Sequence, residues 1–352
     1  MTNIDLAVVL CTYNRAPRLT TALRSLEQVQ HPRGLNWTLV AVDNNSTDDT
    51  ARVLEETTSR GALPVHPMFM ATQGKAHALN HALDFVRDIA SVVAFTDDDV
   101  QYDPQWLGEL WHAFEDPAVM GVGGRILSRW PASLPKPNWY HGSLHSVIIQ
   151  FDKGHTRKLL TVPPWGPNMA YRFAVFQQVG AFNTELGPVG KTHRLGVDVE
   201  FGQRVLDRGL RIDYVPSAVV HHPVYPEQVT KRYFLHWYYE RGKFELKVSA
   251  PSGSRILGVP KHFIRMLIKN SAAWMLSWGP SRFYYKLEST HMWGKIVEAF
   301  SEALRVDATD AVGTRPASSR PPTLSPISTL PGPGHRFRPS PSAVPAASPA
   351  SP

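Results

Sequence analysis

Short apolar runs alternate with amphipathic segments along the first third of the chain. The runs, at 6–11, 37–42, 65–69 and 91–95, predict buried strands. The segments between them, in which apolar residues recur every three or four positions, predict helices. Such alternation is typical of a mainly parallel sheet that is covered by helices on both faces. We therefore predict an α/β fold built on one Rossmann-like, mainly parallel sheet.

The composition of the chain changes twice after this alternation ends. We predict three parts: an α/β catalytic domain at residues 1–225, a basic, aromatic-rich helical segment at 226–306, and a tail at 307–352. The tail consists largely of Pro, Ser, Ala and Arg. Because it has few large apolar groups to bury, we predict that it is disordered.

The basic segment has two interpretations that the sequence leaves open. Between residues 231 and 305, 13 Lys and Arg accompany five Glu and many Trp, Tyr and Phe. No apolar run approaches the roughly 18 residues that indicate a membrane span, so the segment fits a helix lying in the interface of an anionic membrane. Alternatively, its aromatic side chains pack on the catalytic domain and its charges face solvent.

Overall composition narrows the function classes without choosing one. The 352 residues carry a formal net charge of +7, which suits nucleic acid, an anionic membrane or phosphorylated small molecules as partners. The single cysteine, Cys11, excludes an intramolecular disulfide and a multi-cysteine zinc site. Because residues 1–11 lack the features of a secretory signal, we expect a cytoplasmic protein. The basic segment adds the hypothesis of peripheral attachment to the inner face of the membrane.

Three adjacent carboxylates, Asp97, Asp98 and Asp99, follow the predicted strand at 91–95. Side-by-side anions at the end of a buried strand repel one another and lose solvation, and a divalent cation or a donor-rich ligand relieves both costs. Hard oxygen ligands suit Mg²⁺ or Mn²⁺, which would bind phosphate oxygens of a substrate. The alternative is a solvated acidic turn before a helix that starts near Pro104.

Polar residues also follow the first two predicted strands. Thr12 comes after the first strand and Asp43 after the second. In open α/β sheets ligands bind outside the carboxyl ends of the strands. We therefore expect Thr12, Asp43 and the Asp97–Asp99 triplet to converge on one crevice.

Seven motifs follow one another in an order that matches a known family: VVLCTYNR, VDNNSTDDT, GKAHALNHAL, FTDDDV, GPNMAYR, GVDVEFGQRVLDRG and YVPSAVVHH. Between residues 6 and 222 the chain resembles a family-2 glycosyltransferase with the GT-A fold. The resemblance implies inverting transfer of a sugar from a nucleoside diphosphate sugar to a hydroxyl of a saccharide or lipid-linked acceptor. The Gln-x-x-Arg-Trp element of polymerising relatives is incomplete after Gln228, which favours one sugar per encounter.

The resemblance also assigns the donor side of the site. A divalent metal ion, Mn²⁺ or Mg²⁺, would be bound by Asp99 and by His222, the last residue of a P-x-A-x-V-x-H pattern. Lys75 at a helix start would meet the diphosphate, with a solvated lysine as the alternative. The residues expected to bind the nucleotide sugar are Thr12, Tyr13, Asn14, Asp43, Asn44, Lys75, Asp97 and Asp98.

On the acceptor side, Asp198 matches the carboxylate that serves as catalytic base and takes the proton of the attacking hydroxyl. One alternative is that Asp198 caps the predicted helix at 197–208. Glu200 is a second carboxylate on that helix, but it points in a different direction, so only one of the two is expected to face the acceptor. The residues expected to form the acceptor wall are Trp165, Asn168 and Met169.

Two other functions remain open from the sequence. A sugar-1-phosphate nucleotidyltransferase is another metal-dependent α/β enzyme, but the Gly-rich basic loop usual after its first strand is replaced here by residues 12–17. A nucleic-acid-binding protein would use the basic aromatic segment to stack bases. No nucleic-acid-binding motif accompanies that segment, and we expect no nucleic-acid partner.

Overall fold

Residues 4–190, 194–248 and 251–312 are described by this computed structural model, with side chains as far as residue 305. The strands are β1 (Ile4–Thr12), β2 (Trp37–Asp43), β3 (Val65–Phe69), β4 (Ala90–Asp97), β5 (Gln101–Tyr102), β6 (Gly121–Arg129), β7 (Lys158–Leu159), β8 (Met169–Arg172), β9 (Ile212–Pro223), β10 (Arg255–Ile256) and β11 (Val259–Pro260). The helices are α1 (Ala16–Leu26), α2 (Thr50–Arg60), α3 (Lys75–Val86), α4 (Trp106–His112), α5 (Phe173–Val179), α6 (Val197–Asp207), α7 (Lys231–Val248), α8 (Lys261–Leu276) and α9 (Gly279–Val312).

One large sheet has the strand order β3-β2-β1-β4-β8-β6-β9-β5, with β7 also paired to β9. The first four strands are parallel, as the alternation predicts. Beyond them the sheet is mixed, because β8 runs antiparallel to both β4 and β6 while β6 and β9 are parallel. The chain enters β8 from the edge at which β4 ends, since Met169 pairs with Phe95. The predicted α/β fold on a single sheet is confirmed, with parallel pairing confined to β1–β4 and to β6 with β9.

The core follows the predicted apolar runs. Residues 6–10 of β1 are fully buried, as expected for a central strand that is covered on both faces. Leu19 of α1, Leu79 of α3 and Leu107 of α4 belong to the same hydrophobic core. These helices are therefore the layers that cover the sheet.

The carboxyl ends of the central strands lie level with one another. Thr12 pairs with Asp43, and Cys11 pairs with Asp97. The loops beyond them are tied together, since the side-chain oxygen of Asn14 accepts a hydrogen bond from the Thr47 amide at 2.7 Å. The predicted convergence on one crevice is confirmed for the backbone of these strand ends.

The C-terminal helices are integrated with the rest of the chain. Phe234 and Tyr238 of α7 and Leu287 of α9 share a core with Leu144 and Ile148, which lie in a 3₁₀ segment (Gly142–Ile148). The interpretation in which these aromatic residues pack on the domain therefore describes this face of α7 and α9.

Close packing of α7 against α9 depends on two glycines. A Cβ atom at Gly242 would overlap the carbonyl oxygen of His291, and one at Gly294 would overlap the carbonyl oxygen of Tyr239. The two helix backbones therefore approach each other directly. Among the described residues, no helix combines the length and apolar character needed to span a bilayer.

The last helix reaches into the segment predicted to be disordered. α9 continues to Val312, six residues beyond the predicted boundary. Alanine at positions 308 and 311 favours helix, and the first proline after it is Pro316. The prediction was wrong for 307–312, and the remainder, 313–352, lies outside the described residues.

Candidate active site

A cavity of about 1180 Å³ opens at the carboxyl edge of β1 and β4. Its wall is formed by the loops after those strands, by residues 162–169, by the start of α6, and by α7, α8 and α9. Small-molecule sites usually occupy roughly 300–1000 Å³. The cavity is therefore at least as large as a typical small-molecule site.

Two arginines neutralise the buried carboxylates at one end of the cavity. Nη1 of Arg15 lies 3.0 Å from Oδ1 of Asp98 and 3.2 Å from Oδ2 of Asp99, and Arg18 approaches Asp99 at 3.8 Å. Burial raises the pKa of Asp98 to about 6, although Arg15 opposes this shift. These two arginines and the two carboxylates with which they pair form a cluster of opposite charges that faces the cavity.

His222 joins this cluster from the end of β9. Its Nε2 atom lies 3.4 Å from Oδ1 of Asp99, and its Nδ1–H donates to the Pro223 carbonyl oxygen at 2.9 Å. Burial alone would lower the pKa of His222, but the Asp99 carboxylate raises it above its usual value. Burial would likewise raise the pKa of Asp99, but His222, Arg15 and Arg18 hold it well below its usual range.

Lys75 connects the Asp97–Asp99 cluster to the start of α6. Its Nζ atom lies 2.5 Å from Oδ1 of Asp97. Burial would lower the pKa of Lys75, but Asp97, and to a smaller degree Asp198, raise it. The Lys75 ammonium and the Asp198 carboxylate also converge on Gly166, where an added Cβ would lie 3.6 and 3.3 Å from them. Lys75 is thus ion-paired, and the solvated alternative is wrong.

Asp198 faces the cavity from the first turn of α6. Its Oδ2 atom accepts a hydrogen bond from the Gly166 amide at 2.6 Å, so it holds the 162–169 wall and does not cap its own helix. Glu200 is buried and pairs with Arg204 at 2.7 Å, away from the cavity. Of the two carboxylates, Asp198 is the one that borders the cavity, as the sequence predicts.

Two of the three residues predicted to form the acceptor wall lie at the cavity. Trp165 and Met169 line the cavity. Asn168 is fully buried and holds the scaffold: its Oδ1 accepts from the Trp106 indole at 2.9 Å, and its Nδ2 donates to the carbonyls of Ala218 and Arg125 at 2.8 and 3.0 Å. Because every polar atom of the amide is occupied, Asn168 is a structural residue, and its assignment to the wall was wrong.

The first half of the chain matches a known protein family in sequence. The family model for glycosyl transferase family 2 matches residues 7–180. Residues 7–180 of the chain belong to glycosyl transferase family 2. This match favours a glycosyltransferase over the two other functions that the sequence leaves open, a sugar-1-phosphate nucleotidyltransferase and a nucleic-acid-binding protein.

Two curated relatives resemble this glycosyltransferase. The glucosyl-dolichyl phosphate glucuronosyltransferase of Haloferax volcanii is 24% identical over 228 residues, which are 63% of this chain and 70% of the relative. An uncharacterised glycosyltransferase of Nostoc sp. is 30% identical over 183 residues, which are 50% of this chain and 53% of that protein. The chain therefore spans about half the length of the Nostoc relative.

Comparison with solved structures confirms the GT-A fold. The mannosyltransferase PcManGT of Pyrobaculum calidifontis superposes with a TM-score of 0.50 at 19% identity, over 90% of this chain and 77% of that one. At this level of identity the likeness concerns the fold alone.

Most residues predicted to bind the nucleotide sugar line the cavity of the glycosyltransferase: Thr12, Tyr13, Asn14, Asn44, Lys75, Asp97 and Asp98. Asp43 lies outside this lining and accepts a hydrogen bond from the Ser46 amide at 2.9 Å. The Asn44 side chain is bound on both sides, accepting from the Gly74 amide and donating to the Thr72 carbonyl, each at 2.7 Å. Through these hydrogen bonds, Asp43 and Asn44 hold the loops that follow β2 and β3 in place.

Sequence reasoning missed several residues that line the cavity. Arg15 stands in the VVLCTYNR motif and Arg18 follows one turn later, but neither position signals contact with the Asp triplet. Arg241 and Glu245 of α7 and Lys295 of α9 also reach the cavity. For the basic segment that carries them, the sequence leaves both a membrane interface and packing on the catalytic domain open, because sequence alone does not indicate which face of a helix turns inward.

Proposed function

We propose that the glycosyltransferase moves a sugar from a nucleoside diphosphate sugar to a hydroxyl of a saccharide or lipid-linked acceptor, with inversion and one sugar per encounter. The observation that carries this proposal is that the Asp198 carboxylate borders the same cavity as Asp97, Asp98 and Asp99. One carboxylate at the acceptor end and a charged cluster at the donor end are what a single displacement requires.

In this proposal Asp198 is the general base. It removes the proton of the acceptor hydroxyl while that oxygen attacks the anomeric carbon, and the nucleoside diphosphate leaves from the opposite side. The hydrogen bond from the Gly166 amide holds Oδ2 of the carboxylate, which leaves Oδ1 to take the proton. Trp165 offers an aromatic face to the acceptor sugar.

The donor side fits a divalent cation, Mn²⁺ or Mg²⁺. Asp99 Oδ1 and His222 Nε2 are 3.4 Å apart, close enough for one cation to contact both. Among the residues with described positions there is no cluster of three or more His, Cys, Asp or Glu arranged for a metal. Cations of this kind often take one or two protein ligands and complete their shell with substrate phosphates and water. When bound, the cation would stabilise the charge on the leaving diphosphate.

The relatives support the substrate classes in this proposal. The Haloferax relative is named for glucuronosyl transfer to glucosyl-dolichyl phosphate, which supports a lipid-linked acceptor. The Pyrobaculum structure is described as a complex with GDP-Man and Mn²⁺, in line with a nucleotide sugar and a divalent metal here. Arg15, Arg18 and Lys75 line the cavity as candidates for contact with the diphosphate.

A panel of UDP-, GDP- and dTDP-sugars tests the donor. We expect one nucleotide sugar to raise the melting temperature in Mn²⁺ and to lose this effect in EDTA, and to support transfer to a prenyl-linked saccharide. Sugar-1-phosphates with nucleoside triphosphates form the control arm. Release of pyrophosphate in that arm, without transfer from any nucleotide sugar, would overturn the proposal.

Peripheral contact with an anionic membrane is the second part of the proposal. At the turn between α8 and α9, Met275, Leu276 and Trp278 are 68, 81 and 84% exposed. In α8, Phe263 is the buried residue among the described ones, and Lys261, Arg265 and Lys269 add positive charge. Exposed apolar residues next to basic ones suit a lipid interface.

Vesicle flotation tests this membrane contact with point variants, because truncation would uncover the core shared by α7 and α9. We expect Trp278→Ser with Leu276→Ser to reduce flotation on anionic vesicles. Leu159→Ser, at a residue 59% exposed in β7, is the matched control and should float normally. Equal flotation of all three proteins would count against the proposal.

A further inference from the structure

The Glu245 carboxylate, which lines the cavity, is surrounded by three basic side chains. Glu245 of α7 accepts hydrogen bonds from Arg241 Nε at 2.7 Å and from His291 Nε2 at 3.0 Å, and it forms an ion pair with Lys295 Nζ at 2.7 Å. Burial would raise the pKa of Glu245, but His291, Arg241 and Lys295 hold it far below its usual range. Both carboxylate oxygens are therefore already engaged.

The basic groups in this cluster retain donors that Glu245 cannot satisfy. Among the described residues, the acceptor found for the Arg241 side chain is Glu245, which Nε contacts, and this leaves the four Nη hydrogens. The Lys295 ammonium is ion-paired with one oxygen of the same carboxylate. Arg241 and Lys295 are 20 and 18% exposed, and both line the cavity. Glu288 also acts on Arg241 but lies outside the cavity wall. Partly buried cations with free donors suit an anion.

The surroundings of the cluster are apolar and continuous with the acceptor end of the site. Trp237, Phe244 and Phe263 line the cavity. The Arg241 guanidinium lies 5.9 Å from the Trp237 ring, and the Lys295 ammonium lies 5.5 Å from the Phe263 ring. Phe244 packs directly on Gly196, the residue that precedes α6, because a Cβ atom at Gly196 would overlap the Phe244 ring. The cluster therefore lies along one surface with Asp198, which is in the first turn of α6.

We propose that Arg241 and Lys295 form a subsite for the phosphate of an acceptor in which phosphate joins a sugar to an apolar chain. The sugar would lie at Trp165 and Asp198, and the chain would follow Phe244 and Phe263. This inference rests on the lipid-linked acceptor of the proposed function and names the residues of this chain that recognise it. Arginine and lysine are both suited to this contact, since they donate charge-assisted hydrogen bonds to phosphate oxygens.

Binding of farnesyl phosphate, farnesol and inorganic phosphate to the full chain, measured by calorimetry without donor or metal, tests the subsite. We expect farnesyl phosphate to bind at least about tenfold more tightly than farnesol or inorganic phosphate. Lys295→Met should weaken farnesyl phosphate binding about tenfold, the loss of one charge-assisted hydrogen bond. It should leave farnesol binding unchanged. Lys243→Met, which removes a cation on α7 paired with Glu240 at 3.6 Å, is the matched control and should bind as wild type.

Glu245→Gln provides an independent test in the opposite direction. Removing the carboxylate leaves Arg241 and Lys295 unpaired, so the variant should be less stable alone, should bind farnesyl phosphate more tightly, and should be restabilised by it. A purely structural cluster would lose stability without any gain in affinity.

Three results would overturn the subsite: equal affinity for farnesyl phosphate and farnesol, wild-type affinity in Lys295→Met, or inorganic phosphate binding as tightly as farnesyl phosphate. The last result would mean a site for small anions only. Because these measurements need no turnover, sugar transfer that fails while binding follows this pattern would count against the proposed function alone.

Discussion

Replacing Asp198 with asparagine removes the proposed base while leaving its surroundings in place. Oδ2 of Asp198 accepts the Gly166 amide at 2.6 Å. Asparagine has nearly the same shape, and its carbonyl oxygen can accept the same hydrogen bond. It cannot take a proton from the acceptor hydroxyl, so the chemical step is the property that changes.

The effect on turnover and the effect on stability differ in size. Loss of a positioned general base lowers the rate by roughly 10²–10⁴-fold, which corresponds to about 3–5 kcal/mol of activation free energy. Exchanging a charged acceptor for a neutral one weakens a hydrogen bond by about 1 kcal/mol. In a domain of 150–250 residues this lowers the melting temperature by about 2–4 °C. Turnover should therefore fall far more than stability.

Single-turnover transfer and donor affinity by calorimetry measure these effects on the same preparations. We expect Asp198→Asn to bind the donor within about threefold of wild type while transfer falls by at least 10²-fold. Asp207→Asn is the matched control, since Asp207 accepts a hydrogen bond from Gln203 at 2.8 Å on the exposed end of the same helix. Wild-type transfer in Asp198→Asn would refute the base role, and loss of donor binding would make Asp198 a donor ligand.

Four further substitutions test other parts of the site. Asp99→Asn and His222→Ala should each abolish the rise in melting temperature that the nucleotide sugar causes in Mn²⁺ and that EDTA removes. Thermal shift measures this effect. A rise like that of the wild type would exclude these two residues as metal ligands. Gly196→Ala should destabilise the protein by about 2–4 kcal/mol in urea unfolding, because φ is +98° and a Cβ atom would meet Phe244; unchanged stability would mean that α7 moves away freely. The pKa of Glu245 is lowered in the folded state. Its contribution to the free energy of unfolding should therefore be present above about pH 4.3 and be lost as the pH falls toward the lowered pKa. The difference in unfolding free energy between wild type and Glu245→Gln should therefore shrink in acid, and a constant difference would contradict this assignment.

The first half of the fold was predictable because its signals are local. The apolar runs at 6–11, 37–42 and 91–95 all became strands, since a strand buried on both faces reads as a continuous apolar run. The reversal of β8 was not predictable, because it depends on the loop that brings Met169 back at the carboxyl edge of β4. That pairing joins residues 74 positions apart, and no local pattern carries it.

Within the site, the strand-end residues were predictable and the inward-facing helix residues were not. Asp97 follows an apolar run, so its position at the carboxyl edge could be inferred. Asn168 lies in the same turn-rich sequence as Trp165, but its side chain is buried and hydrogen-bonded to the surrounding fold, whereas Trp165 lines the cavity. Only three-dimensional contacts distinguish the two residues. Arg241 and Lys295 belong to the basic segment, whose composition shows its positive charge but not which of its side chains face the cavity.

The structure also changes the reason why three adjacent carboxylates are tolerated. Asp97 is paired with Lys75, Asp98 with Arg15, and Asp99 with Arg15, Arg18 and His222. The cluster is therefore neutralised by the protein itself, and a cation is not required to hold it together. A divalent ion that binds Asp99 and His222 competes with the arginines for the same carboxylate. Diphosphate oxygens give Arg15 and Arg18 another partner, so metal and nucleotide sugar should bind more tightly together than either does alone.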